Sequence, residues 1–151
     1  MARMDSAISN SIKVKETVAS PLFEQRTKDV IVRVEPEFLA EQSSVSDSRF
    51  IWAYTVEIDN QGDKDLQVTE RFWQIADSRG QVQEVRGAGV VGEQPTIKSG
   101  EVFRYTSGAP LTAPSGMMLG TYRVESPDGE SYDIDIPAFV LDSPHEGLGA
   151  N

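Results

Sequence analysis

The sequence predicts an all-β chain folded as an antiparallel β-sandwich, and three observations carry that prediction. Apolar residues recur at every second position through several short runs, which places them on one face of an extended strand. Clusters of Gly, Pro, Asn, Asp and Ser break those runs roughly every 8–12 residues, enough for about seven or eight strands. No stretch of about ten residues carries the 3.6-residue apolar period of a helix, and no segment repeats.

Residues 1–21 are polar, mixed in charge and without period, so they are expected to form a flexible leader. The folded domain is expected over 22–142, with a Gly- and Pro-containing tail over 143–151. Val30, Val32 and Val34 alternate with Ile31, Arg33 and Glu35 in a short strand that Pro36 is expected to end. The serine-rich run 43–48 reads as a loop. Next comes the clearest strand, 50–60, with Trp52, Tyr54, Val56 and Ile58 on one face and Ala53, Thr55, Glu57 and Asp59 on the other. Asn60-Gln61-Gly62-Asp63 supplies a turn. Leu66, Val68 and Phe72 then share one parity while Trp73 and Ile75 take the other, so a bulge or change of sheet is expected near 69–71.

Asp77-Ser78-Arg79-Gly80 suits a hairpin, followed by a short strand over 82–85 that leads into a glycine-rich stretch. After Pro95 come Ile97, the Lys98-Ser99-Gly100 turn and a strand carrying Phe103 and Tyr105. The run 108–116, with Pro110 and Pro114, reads as loop. Two alternating runs, 118–125 and 131–136, flank Pro127-Asp128-Gly129, a strong hairpin signal. In the second run Tyr132, Ile134 and Ile136 face inward, and 137–141 is expected to be a separate, final edge strand.

With 151 residues the chain fits one domain plus short tails, large enough to build a core without a metal or a disulfide. It has no cysteine, which removes disulfides, thiolate metal sites and cysteine nucleophiles and fits a reducing compartment. Neither a signal-peptide core nor a membrane-spanning apolar run is present, so the cytoplasm is the expected location, with no membrane partner. The net charge of −10, from 24 acidic and 14 basic residues, repels polyanions, and nucleic acid is not an expected partner.

The stretch 84–95, Glu-Val-Arg-Gly-Ala-Gly-Val-Val-Gly-Glu-Gln-Pro, holds Gly87, Gly89 and Gly92 in a GxGxxG pattern just after Arg86. A dinucleotide fingerprint needs a helix beginning inside the motif, and Val90, Val91 and Pro95 oppose one. A P-loop fails because no Gly-Lys-Ser/Thr follows. Two readings remain. In one, backbone amides at Gly87, Gly89 and Gly92 form a nest for phosphate or pyrophosphate, with Arg86 as charge partner and Arg71 or Arg104 joining if the fold brings them close. In the other, the glycines serve only positive φ and close backbone packing.

No metal site is expected. The densest carboxylates, Asp128, Glu130, Asp133 and Asp135, match no calcium-loop spacing and read as a solvated hairpin, and His145 lies in the tail. No cofactor is expected and no catalytic residue stands out: Ser107 and Ser115 sit beside glycines without a nucleophile-elbow motif or a core histidine to act as base. A phosphoanhydride hydrolase built on paired strand carboxylates has no sequence signature that would reveal it. The aromatic residues lie at strand spacing and read as core. The slip near Arg71 leaves either Phe72 or Trp73 less buried, and an exposed aromatic there, or a bare edge strand, would suit a protein partner.

Several motifs in order carry a family resemblance: Trp52-Ala53-Tyr54-Thr55-Val56, Arg71-Phe72-Trp73, the stretch 84–95, Tyr105-Thr106-Ser107-Gly108, Ser115-Gly116-Met117-Met118 and Ile136-Pro137-Ala138-Phe139. Over 23–141 the chain resembles the ApaG family, also called CorD. That resemblance implies a fibronectin type III-like, immunoglobulin-like sandwich. It also implies a bacterial association with cobalt tolerance and magnesium efflux, use as a protein-interaction module, and a glycine loop proposed to bind pyrophosphate. The family often has Arg-His-Trp where this chain has Arg71-Phe72-Trp73, so no histidine role transfers. The expectation is a non-enzymatic binding module with a protein partner. The alternative is a phosphate- or pyrophosphate-binding protein using Arg86, Gly87, Gly89 and Gly92.

Overall fold

Alternation along Phe50–Asn60 forces Trp52, Tyr54, Val56 and Ile58 to one side, and each is at least nine-tenths buried. The computed structural model, which describes residues 22–145, builds the domain around that strand. The expected leader 1–21 and the last part of the expected tail, 146–151, lie outside the described residues. Nine strands are described: β1 (Phe23–Thr27), β2 (Val30–Phe38), β3 (Phe50–Asn60), β4 (Leu66–Asp77), β5 (Val82–Ala88), β6 (Thr96–Ile97), β7 (Val102–Leu111), β8 (Gly116–Glu125) and β9 (Ser131–Leu141). The one helical segment among them is a 3-10 turn, Ala40–Gln42, within the long connection that carries the expected serine loop.

Every named pairing is antiparallel. One sheet runs β1-β2-β3-β7 and the other β5-β4-β8-β9, with the short β6 pairing the first residues of β4. Their inner faces meet in an aromatic core. Tyr54 packs edge-on to Trp73 at 5.4 Å between centroids, and Phe139 lies 5.9 Å from Trp73 and 5.8 Å from Tyr54. Burying such side chains contributes roughly 1.5–3 kcal/mol each.

The two long sides of the sandwich differ. On one side β9 abuts the other sheet: the Asp135 amide donates to Thr27 Oγ1 at 3.0 Å, and the Phe23 and Phe139 rings are 6.2 Å apart. On the other side the outer strands, β5 and β7, frame an opening.

The expected slip near 69–71 is a bulge. Val68 and Glu70 oppose the adjacent residues Val124 and Arg123, leaving Thr69 as the extra residue, and Trp73 enters the core. Three expectations that rested on proline need correction. Pro36 does not end its strand: β2 continues to Phe38, with Pro36 opposite Tyr54. β1 stops opposite Val34, so no neighbour awaits the amide that Pro36 lacks. The expected loop over 108–116 is mostly strand, because β7 runs to Leu111 and Pro110 pairs with Ile51 on a strand whose far edge is open. The residues 137–141 are not a separate strand, because β9 is continuous. Its register shifts between Met118 and Gly120, which places Pro137 in a bulge and moves the buried parity from Ile134 and Ile136 to Phe139 and Leu141.

Candidate functional site

The glycine-rich stretch divides in two. Arg86 and Gly87, expected in a loop, belong to β5, where they oppose Phe72 and Arg71 respectively. Beyond Ala88 the chain folds into a tight hairpin. The Gly89 amide donates to Thr69 O, the Val90 amide to Glu93 O and the Glu93 amide to Val90 O, each at 2.8 Å. Positive φ at both central residues, 40° at Val91 and 82° at Gly92, is the sign pattern of a type I′ turn. A Cβ at Gly89 would lie 1.8 Å from Glu93 O, so this glycine is what lets the hairpin close.

Alternation then decides where the arginines go. Arg86 sits on the outer face with Phe72, its guanidinium carbon 4.2 Å from the ring centroid. Of the two aromatics at the slip, Phe72 is therefore the half-exposed one, while Trp73 is buried. Arg71, two residues from Trp73, shares the inner face. Its Nη1 donates to Ala88 O at 3.1 Å and Gly89 O at 3.2 Å, across a strand position where a Cβ on Gly87 would stand 2.8 Å from Nη1. Arg104 lies in the other sheet, paired to Glu57 Oε2 at 2.6 Å. The three arginines therefore do not converge. Toward Arg71 the hairpin turns carbonyls, and three of its amides are spent within the fold.

Arg71 lines the opening between β5 and β7, a cleft of about 550 Å³ walled by Tyr54, Trp73, Val85, Tyr105 and Met118 and edged by Val91. Tyr105 and Tyr122 are fully buried nearby, with their hydroxyls hydrogen-bonded to each other. Burial pushes both phenols well above their ordinary range, against a smaller opposing pull from Arg71, so both are neutral at physiological pH. From sequence alone Arg71 enters only as a helper of Arg86, and Tyr105 and Tyr122 only as core. The overlooked signal was parity: once the slip is placed at Thr69, a charged residue falls on the inward face.

Three of the four carboxylates in the 128–135 cluster are ion-paired. Asp128 accepts from Lys64 Nζ at 2.8 Å, from Ser126 Oγ and from the Glu130 amide at 3.0 Å. Glu130 lies 3.5 Å from both Lys28 and Lys64, and Asp133 lies 3.4 Å from Arg123. Among the described residues no three His, Cys, Asp or Glu side chains gather as metal ligands, and no helix is long and apolar enough to cross a membrane.

Fold and cleft together define an antiparallel β-sandwich domain with one open side. The sequence pattern of the ApaG domain matches residues 40–126. Protein ApaG of Paramagnetospirillum magneticum is 53% identical over 125 residues, covering 83% of this chain and 96% of that protein. Protein ApaG of Rhodospirillum centenum is 51% identical over 124 residues, covering 82% and 95%. Among solved structures, an ApaA protein from Bordetella pertussis superimposes with a TM-score of 0.74 at 46% identity, covering 77% of this chain and 94% of its own. The chain belongs to the ApaG family.

Proposed function

We propose that this protein is a non-enzymatic binding module that receives a protein partner along the open β5–β7 side of its sandwich. One observation carries the reading: among the described residues the outer strands of both sheets have a free edge on the same side, with a half-apolar cleft between them. An unpaired strand offers main-chain donors and acceptors for β-augmentation, and the cleft offers a pocket for side chains. The site is a cytoplasmic one in this reading, and any tie to cobalt or magnesium handling runs through the partner. Three of the carboxylates a cation would need at 128–135, Asp128, Glu130 and Asp133, are already paired with Lys64, Lys28 and Arg123.

Selection of binders from a displayed random-peptide library, followed by amide shift mapping on the full chain, tests the proposal. The expected shifts fall on β7, β5 and the 89–93 hairpin. Binders that perturb only the outer Phe72–Arg86 face or the 128–135 hairpin would overturn it. A phosphate or pyrophosphate ligand on the glycine stretch has less behind it, because the Gly89, Val90 and Glu93 amides are already engaged. Pyrophosphate-induced shifts at 87–92 that vanish in Arg86→Ala would nevertheless favour that ligand over the module.

A further inference from the structure

We infer that the β5–β7 cleft captures the C-terminal carboxylate of an extended peptide whose last side chain is apolar, with Arg71 as the carboxylate-binding residue. The inference rests on the module reading and specifies which part of the partner enters. Arg71 is clear of counter-charge: no carboxylate among the described residues lies within ion-pair distance, in a chain with 24 acidic residues. Its Nη1 is anchored by Ala88 O and Gly89 O, whereas Nη2 and Nε donate to no described residue. The Nε–Nη2 edge of a guanidinium is a fork that fits a carboxylate with two parallel hydrogen bonds. Because Nη1 is already held, little further freedom is lost when the fork engages.

The walls specify what must accompany the anion. Trp73, Ile75, Val85 and Met118 present apolar surface beside Arg71, so a bare inorganic anion would leave most of the cleft unfilled. The rim points to a peptide rather than a free acid. The Asn60 amide donates to Glu101 O at 3.0 Å, which makes the odd-numbered residues of β7 the ones that bond β3. The even-numbered Arg104, Thr106 and Gly108 therefore turn their backbone groups to the open edge, where an incoming strand can pair, and Pro110 closes the run by having no amide to offer. An extended chain paired along 104–108 brings its end to the cleft that Ser107, Gly108 and Ala109 border.

The test is a titration of the full chain with acetyl-Ser-Thr-Val-Thr-Val carrying a free terminal carboxylate, compared with the same peptide as its C-terminal amide and with acetyl-valine. The acid peptide is expected to shift the Arg71 Nε–H and the amides of Tyr105, Gly108 and Val91, and to bind about tenfold or more tightly than the amide. Arg71→Lys, which keeps the charge and loses the fork, is expected to abolish that preference. Val85→Glu places a competing carboxylate in the cleft from an exposed position and is expected to abolish binding while keeping the wild-type circular dichroism and unfolding transition. Equal binding of acid and amide, or acid binding untouched by Val85→Glu, would overturn the inference. So would acetyl-valine binding as tightly as the peptide. Selected peptides that occupy the β7 edge and tolerate amidation would overturn it while leaving the module reading intact. If no peptide binds on this side, both fall.

Discussion

Tyr105 and Tyr122 join their hydroxyls in a buried hydrogen bond, with Tyr54 and Arg71 close enough to act on both, and that bond sets the cost of removing either one. Tyr122→Phe removes the hydrogen-bond partner of the Tyr105 hydroxyl, so denaturant unfolding should show a loss of about 0.5–1.5 kcal/mol. Tyr105→Phe combined with Tyr122→Phe should cost less than the two single changes added together, because neither hydroxyl then outlives the partner it bonds. The pair also gives stability an alkaline limb. Both phenols titrate above the ordinary 10.0 in the fold, so their contribution is complete below that value and is lost as pH rises beyond it, where the unfolded chain ionises first. The double phenylalanine variant should unfold less steeply with alkali. Arg71 acts at the same scale. Its neighbours in sequence do not distinguish it from Arg86, but its side of the strand does.

At the scale of elements, the 89–93 hairpin is the part whose sequence misleads most readily. Its glycines meet different needs. Gly89, at φ 60°, has no room for a Cβ, whereas Gly92, at φ 82°, has nothing within 4 Å of one. Gly92→Ala should therefore cost only the left-handed backbone penalty of about 1–2 kcal/mol. Gly89→Ala should cost roughly 3 kcal/mol or more and release Arg71 from its two carbonyls, both readable by thermal unfolding and by the Arg71 Nε–H resonance. The 126–130 hairpin is held differently. Lys64, then Ser126 and the Glu130 amide, keep the Asp128 carboxyl well below its usual 3.8, so its contribution is full above that value and disappears as pH falls below it. The difference in Tm between wild type and Asp128→Ala should be small at neutral pH, because the pair is exposed, and should vanish in acid.

Over the whole molecule, the ends and sides of the sandwich are closed unequally. Residues beyond β9 seal one end: Trp52 Nε1 donates to Asp142 O at 2.7 Å and Ser143 Oγ donates to Pro114 O at 2.7 Å. The His145 ring lies 5.8 Å from Phe38 and 5.9 Å from Phe50. Residues 143–145, expected to be tail, therefore contribute to the fold. A chain ending at Leu141 should be less stable than one ending at His145 by about 1–3 kcal/mol, since the buried Trp52 N–H loses its acceptor. Denaturant titration of the two truncations decides this. The β5–β7 side has no such seal among the described residues, and the proposed partner site lies there.

By itself the sequence determined whatever depends on a residue's near neighbours. Period-two alternation placed Trp52, Tyr54, Val56 and Ile58 inside, the Asp77–Gly80 and Pro127–Gly129 turns were readable from their residues, and the slip at Thr69 showed as a change of apolar parity. Its ordered motifs were also enough to place the chain in its family. Only the tertiary structure decided the rest. Whether Pro36, Pro110 and Pro137 break a strand depends on which ladder side each missing amide faces, and so on the strand order. In the same way, a glycine-rich hairpin offers amides to an anion or carbonyls to a cation according to what packs beneath it, and here that is Arg71, brought there by pairing between β4 and β5. Spelling is local, whereas the partners of a backbone group are set by the whole topology.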